Sequence, residues 1–217
     1  MKKIVIAGAG PHSKVIIDLF EQTGEYEIVG LTDSREGNVL GYPILGTDQI
    51  LGQLHEEGVE YAFAAVGNNR IRERLYQNLA AIGFQIPSLV SSDAVVSRYA
   101  EIGRGTAVMP GAVINAGARI GCGAIINTKA SVDHDCCIGD FVHIAPGCAI
   151  SGSTTIGTGN FLGTGCSVID GIHIGDWTVI GAGTVVIHDL PSGCKAVGVP
   201  ARVLSNKTNG ENGSERY

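Results

Sequence analysis

The chain has 217 residues, of which 44% are hydrophobic and 17% charged, and it carries a formal net charge of −6. This length suits one domain or two small ones, and the balance excludes wholesale disorder. With no Lys/Arg-rich run, the charge argues against nucleic acid as a partner. The 32 glycines, about twice ordinary usage, call for a periodic explanation.

The apolar run at residues 4–9 is too short for a secretory leader or a membrane span. A cytoplasmic protein with no membrane insertion is therefore expected, and its six cysteines read as reduced thiols. The run predicts a strand over residues 3–7, which enters Gly8-Ala9-Gly10-Pro11-His12-Ser13-Lys14 and then a helix over about 12–22. A second strand, 27–32, ends at Asp33. A helix near 48–57 leads to a third strand, 61–66, then to Gly67-Asn68-Asn69 and a charged helix over 70–81. Alternating strands and helices with short links predict a small Rossmann-like parallel sheet in a domain spanning residues 1–86.

A different pattern begins at residue 87. Stepping by six from Ile102 gives fifteen consecutive aliphatic residues, ending at Val186, and the track extends back to Val96 and Val90. Chance would produce this on the order of once in a billion. A second track, four residues later in each hexad, runs from Thr106 and Ala112 to Thr178 and Thr184 and is mostly small. Gly103, Gly121, Gly139, Gly157 and Gly175 recur every eighteen residues, so three short strands make one coil; these glycines are expected to permit the turns through positive φ. This is the hexapeptide signature of a parallel β-helix, expected over 87–204. Periodicity alone does not set its hand. A polar, glycine-rich tail, 205–217, is expected to be disordered.

Two constellations could carry chemistry. Gly8-Ala9-Gly10, between a strand and a helix, is a phosphate-approach turn, and Asp33 at the end of the second strand is placed to bind ribose hydroxyls. Ser13 stands at the third position of the GxGxxG fingerprint, so one such half-domain has room for a mononucleotide more readily than for a dinucleotide. The alternative is a set of turn glycines and a capping aspartate.

The second constellation is Asp133-His134-Asp135-Cys136-Cys137, with His143 nine residues on. It admits a metal site, a cysteine nucleophile, structural histidines, or general-base catalysis by His134 with Asp135 orienting its ring. Cys136 lies on the interior small track, which speaks against the first two, and no metal is expected. Asp135 can reach His134 only if the corner turn points both side chains outward. His134 and His143 are half a coil apart, on opposite sides of the prism, so a site using both must lie between subunits. Gly152 follows His134 by one coil, which makes its backbone N–H a candidate oxyanion donor to an acyl cofactor.

The motifs Ile126-Asn127-Thr128, Val132-Asp133-His134-Asp135-Cys136, Ile138-Gly139-Asp140 and Gly198-Val199-Pro200-Ala201-Arg202 are similar to those of hexapeptide-repeat acyltransferases. Combined with the turn at Gly8–Lys14 and with Val66-Gly67-Asn68-Asn69, they resemble the bacterial nucleotide-sugar acetyltransferases of the PglD/NeuD type over residues 1–204. The resemblance implies a left-handed β-helix and a homotrimer with active sites between subunits. It implies acetyl-CoA as co-substrate and a nucleotide-linked acceptor, commonly a UDP-linked 4-amino-dideoxy sugar for surface glycan or polysaccharide biosynthesis.

It also places the nucleotide sugar around Gly10, Pro11, His12, Asp33, Ser34 and Gly67. It makes His134 the proton acceptor, with Asp135 raising its basicity, and puts acetyl-CoA near His143, Thr164 and Ala182. Pro11, where a small residue is common, and Asp135, where some relatives have Glu, leave the substrate open. Competing readings are an O-acetyltransferase acting on a sialic-acid-type sugar, a carbonic-anhydrase-like metalloenzyme, and a non-catalytic nucleotide-binding trimer.

Overall fold

The computed structural model describes residues 1–204, and the expected disordered tail, 205–217, lies outside the described residues. The amino-terminal unit comprises β1 (Lys2–Ala7), α1 (Pro11–Thr23), β2 (Tyr26–Thr32), β3 (Asn38–Val39), β4 (Tyr42–Gly46), α2 (Leu51–Glu56), β5 (Tyr61–Ala64) and α3 (Asn69–Ile82). Its sheet has the order β3-β4-β2-β1-β5; only the β3–β4 pairing is antiparallel. Local chemistry sets the helix ends. Pro11 sits in the first turn of α1, where its missing N–H costs nothing. Asn68 caps α3 by accepting from the Ile71 N–H at 3.1 Å, and Gly24 and Gly83 end α1 and α3 at left-handed φ.

The sequence predicts three strands here, and the structure has five. The additional pair is a hairpin turned by Leu40 (φ 49°) and Gly41 (φ 89°). Its short runs contain Gly41 and Pro43, which read as loop from sequence.

From Leu89 onward the chain winds as a left-handed parallel β-helix, with mostly two-residue strands on three faces. One face, from Leu89–Val90 to Arg202–Val203, carries eight strands. A second, from Val95–Val96 to Val185–Val186, carries six, and a third, from Glu101–Ile102 to His173–Ile174, carries five. Strands eighteen residues apart pair in register, as in Ile125↔His143↔Phe161. The aliphatic track fills the interior from Val108 onward, whereas Val90 is 38% exposed because no coil lies beneath it.

The glycines spaced by eighteen serve a purpose other than the expected one. Gly103, Gly121, Gly139, Gly157 and Gly175 do not adopt positive φ. They are required by stacking: a Cβ on Gly103 would lie 2.5 Å from the Gly121 carbonyl carbon, and one on Gly139 2.7 Å from the Thr158 nitrogen. The left-handed turns fall on another track, every sixth residue from Gly105 to Gly183. Its non-glycine members are Lys129, Asp135, Phe141, Ser153 and Trp177.

Inside the prism the small track is also a hydrogen-bond ladder. Thr106 Oγ1 donates to the Gly121 carbonyl (2.7 Å), Cys136 Sγ to Ser151 (3.2 Å), Cys148 Sγ to Gly163 (3.1 Å), Thr154 Oγ1 to Ile169 (3.2 Å) and Cys166 Sγ to Gly181 (3.0 Å), each fifteen residues on. Turn carbonyls that face inward are thereby satisfied without water. All six cysteines are free thiols.

The two units share a core. Ile16, Ile17 and Phe20 of α1, with Ile4 and Ile6 of β1, pack in one cluster with Leu89, Ala107, Met109 and Ile125 from the eight-stranded face. Val5 and Ala7, pointing the other way, pack with Leu51 and Leu79 from α2 and α3.

Candidate active site

His134 stands at the corner between the six- and five-stranded faces, directly after the strand Ser131–Val132. Asp135 takes a left-handed conformation (φ 57°), which breaks strand alternation and turns its carboxylate back onto His134. Asp135 Oδ2 lies 3.0 Å from His134 Nδ1. Both side chains are exposed, at 59% and 67%. Asp133 accepts from the His134 backbone N–H (2.7 Å) and from Asn115 Nδ2 (2.8 Å), which braces the corner. The hydrogen bond that His134 donates to Asp135 and the charge of Asp133 raise the His134 pKa above its ordinary value of 6.5. Nδ1 is engaged by a carboxylate, so Nε2 is the atom available to accept a proton.

Gly152 is buried beneath this ring. A Cβ there would come within 2.6 Å of His134 Cε1 and 2.7 Å of Nε2. At the same step of the hexad, but at the corner between the five- and eight-stranded faces, the backbone N–H is capped by an aspartate one coil on, as in Cys122 N–H to Asp140 (2.7 Å) and Thr158 N–H to Asp176 (2.7 Å). The Gly152 N–H has no such partner among the described residues. Nearby, burial pushes the Cys136 thiol up, the reverse of what a nucleophile needs. No cluster of three or more potential metal ligands occurs among the described residues.

His143 occupies a separate place, the outer side of the eight-stranded face, only 9% exposed and covered by the amino-terminal unit. Its Nδ1 is 3.3 Å from the Gly67 carbonyl and its Nε2 3.1 Å from Asn127 Nδ2, and its ring meets Phe161 edge to face. His12, on the first turn of α1, has its ring centroid 6.5 Å from that of His143. Two positions that the sequence assigned to different ligands are thus neighbours in one wall. Burial, reinforced by the charge of Arg72, lowers the His143 pKa to about 3 and that of His12 to about 4.

Thr164 and Ala182 are exposed and stacked one coil apart at the corner between the eight- and six-stranded faces. That corner flanks the face bearing His143. His134 and Gly152 sit at the corner opposite that face, so one chain does not bring the two groups together.

In the amino-terminal unit, Gly8 (φ 99°) is required, since a Cβ would strike Val66 Cγ2 at 2.6 Å. Gly10 and Gly67 have nothing within 4 Å of a Cβ, so open space lies before them. Pro11 and Ser34 are exposed at the same end of the sheet. Asp33 is more committed than the sequence suggests. Its Oδ2 accepts from the Ala9 N–H (2.9 Å), and the carboxylate is clasped by Arg35 through Nε (3.1 Å) and Nη2 (3.2 Å). Arg35 and the Ala9 N–H hold its pKa well below the usual carboxylate range. Asp33 therefore ties the glycine turn to the end of β2, and a ribose would share it with Arg35.

The sequence reading missed Arg72 and Asn69. They lie one turn apart on α3, on the side that also carries Leu75, Tyr76 and Leu79, so a charge on an apolar stripe was the available signal.

A glycine turn at the carboxyl end of a parallel sheet, joined to a hexapeptide prism with a carboxylate-paired histidine above an unpaired N–H, defines a hexapeptide-repeat acyltransferase with a nucleotide-type amino-terminal domain. Comparison with known proteins narrows the class. Residues 3–79 match the PglD N-terminal domain family. A 114-residue segment is 37% identical to the UDP-N-acetylbacillosamine N-acetyltransferase of Bacillus subtilis, covering 50% of this chain; the match spans about half, 52%, of that relative's length. The acetyltransferase domain of PglB from Neisseria gonorrhoeae, solved with acetyl coenzyme A, superposes with a TM-score of 0.89 at 42% identity, covering 94% of this chain and 99% of that one. PerB from Caulobacter crescentus, solved with CoA and GDP-perosamine, gives a TM-score of 0.91 at 42% identity, covering 94% and 97%. The chain belongs to the PglD-type family of hexapeptide-repeat nucleotide-sugar acetyltransferases.

Proposed function

We propose that this chain transfers the acetyl group of acetyl-CoA to the amino group of a nucleotide-linked 4-amino-dideoxy sugar, with His134 as general base. The observation that carries the proposal is the His134–Asp135 pair poised over the unpaired Gly152 N–H. Support comes from the Bacillus subtilis relative, named for a UDP sugar, and from PerB, whose structure holds a GDP sugar; a UDP acceptor is the form tested first.

Each group has one task. Asp135 accepts from His134 Nδ1–H, fixing the tautomer and stabilising the imidazolium that forms. His134 Nε2 takes the proton from the attacking amine. The Gly152 N–H faces the oxygen on which charge develops as the amine adds to the thioester carbonyl. Thiolate then departs, and no covalent enzyme intermediate is needed. The open space before Gly10 and Gly67 at the end of the sheet admits the nucleotide, with Pro11, His12, Asp33 and Ser34 around it. Thr164 and Ala182 line the edge for the pantetheine arm.

His134 and His143 lie on opposite sides of one chain, so the complete site forms between subunits. The six-stranded face, with Val95, Val113, Ala149 and Val185 outward, supplies the surface for a homotrimer.

The test is thiol release from acetyl-CoA with UDP-, dTDP- and GDP-linked 4-amino sugars, run beside N-acetylneuraminic acid. Turnover with one amino sugar is expected. Turnover confined to the hydroxyl acceptor, or none with any amino sugar, would overturn the reading.

A further inference from the structure

Arg72 is a guanidinium only 2% exposed, with no carboxylate paired to it among the described residues. Burying a charge without a counter-ion is costly unless every donor is satisfied. Here the full set is used. Nε donates to the Gly123 carbonyl (2.7 Å), Nη1 to Val66 (3.1 Å) and Gly67 (3.0 Å), and Nη2 to Phe141 (2.8 Å) and Asn69 Oδ1 (2.9 Å). Asn69 Nδ2 in turn donates to Gly159 (3.0 Å) and Asn160 (2.9 Å). Gly123, Phe141 and Gly159 are the same turn position in three successive coils. The pair therefore satisfies a column of carbonyls that α3 would otherwise bury unpaired, and it holds Val66–Gly67 against the prism.

The Gly67 carbonyl has a second neighbour, His143 Nδ1. A carbonyl only accepts, so Nδ1 carries the proton. Asn127 Oδ1 accepts from the Thr128 N–H (2.8 Å), which fixes Nδ2 as the group facing His143; Nε2 therefore accepts. Protonating Nε2 would set two donors against each other and would turn the Asn127 amide, breaking its bond to Thr128.

We propose that Arg72 is a positioning residue for the transfer reaction. By clamping Gly67 it holds His143 as the neutral Nδ1–H tautomer, and thereby fixes the orientation of the Asn127 amide at the edge of the site. The proposal rests on the acetyltransfer reading for its catalytic consequence. The titratable and charged groups facing His143 are His12 from α1 and Arg72 from α3, and both oppose a positive charge on it. The arrangement is therefore unchanged across the physiological pH range. Lysine offers three donors from one point and cannot reproduce the five-way clamp, though it keeps the charge.

The test begins with the unmodified protein, ¹⁵N-labelled at histidine. Long-range ¹H–¹⁵N correlations should show His143 as a single Nδ1–H tautomer that does not titrate between pH 5 and 8. An Nε2–H tautomer, or titration near pH 6.5, would overturn the proposal whether or not the chain transfers acetyl. In Arg72→Met, His143 should lose its single Nδ1–H tautomer and its pKa should rise, with burial still opposing the charge, and kcat should fall by about 10- to 100-fold. KM for acetyl-CoA should change less than kcat. Arg72→Lys should keep His143 neutral while recovering only part of kcat. Unchanged kcat in a folded Arg72→Met trimer would sink the catalytic claim. An unchanged tautomer and titration in that variant would sink the clamp.

Discussion

His134 and Asp135 differ by one position, yet only the left-handed backbone at Asp135 lets them meet. That geometry sets the expected pH behaviour. A base must be unprotonated to act, and its pKa lies above 6.5, so kcat/KM should rise with pH through a midpoint above that value. Asp135→Asn removes the largest cause of the shift, so the midpoint should move down while kcat falls; a pH–rate profile reads both. His134→Ala should lower kcat by about 10²–10⁴-fold with the assembly intact, checked by scattering and initial rates. Gly152→Ala drives a methyl into the His134 ring, and should depress kcat while leaving the melting temperature nearly unchanged.

The proposed base was legible as a candidate because Asp133-His134-Asp135 sets a histidine between two carboxylates in the turn between Val132 and Ile138 of an unbroken hexad. The clamp on Gly67 was not, because its partners are main-chain carbonyls, which leave no mark on residue identity.

At the scale of the strand and turn, glycines with different tasks alternate along the prism. Gly139 has ordinary φ but sits against the next coil's backbone. Gly165 has φ +71° with open space where a Cβ would go. Alanine at Gly165 should therefore cost only the left-handed penalty, about 1–2 kcal/mol. Alanine at Gly139 should cost more, since backbone must shift, and thermal unfolding of the two variants would rank them.

The six-residue period was legible because each inward aliphatic side chain has one environment, repeated. The two roles of glycine were not, since spacing shows where a side chain is absent and not why. The β3–β4 hairpin escaped for a related reason: Gly41 and Pro43 punctuate runs too short to show alternation.

For the whole molecule, the amino-terminal unit is a cover for the prism as well as the proposed nucleotide-sugar domain. Ala107, Met109 and Ile125 on the eight-stranded face are 1% exposed only because α1 and β1 pack over them. Residues 87–204 produced alone should present that face to solvent and associate without limit. Sedimentation should show a broad distribution in place of one species; a single compact species would show that the face needs no cover. Each unit's class could be read separately from its own periodicity. Their docking could not, because its polar contacts come from Arg72 and Asn69, which in sequence belong to a charged helix, and its apolar contacts from outward positions of the hexad.

The eighteen-residue coil also governs how such a protein can change length in evolution. Adding or deleting a single hexad between His134 and Gly152 would keep the inward aliphatic track in register, although it would break the column of stacked glycines spaced by eighteen. It would also rotate everything downstream by one face, carrying the glycine away from beneath the histidine and onto another side of the prism. Only whole coils can be gained or lost there without dismantling the site, so natural length variation from His134 as far as Ala182, the last of the proposed site positions, should come in eighteens.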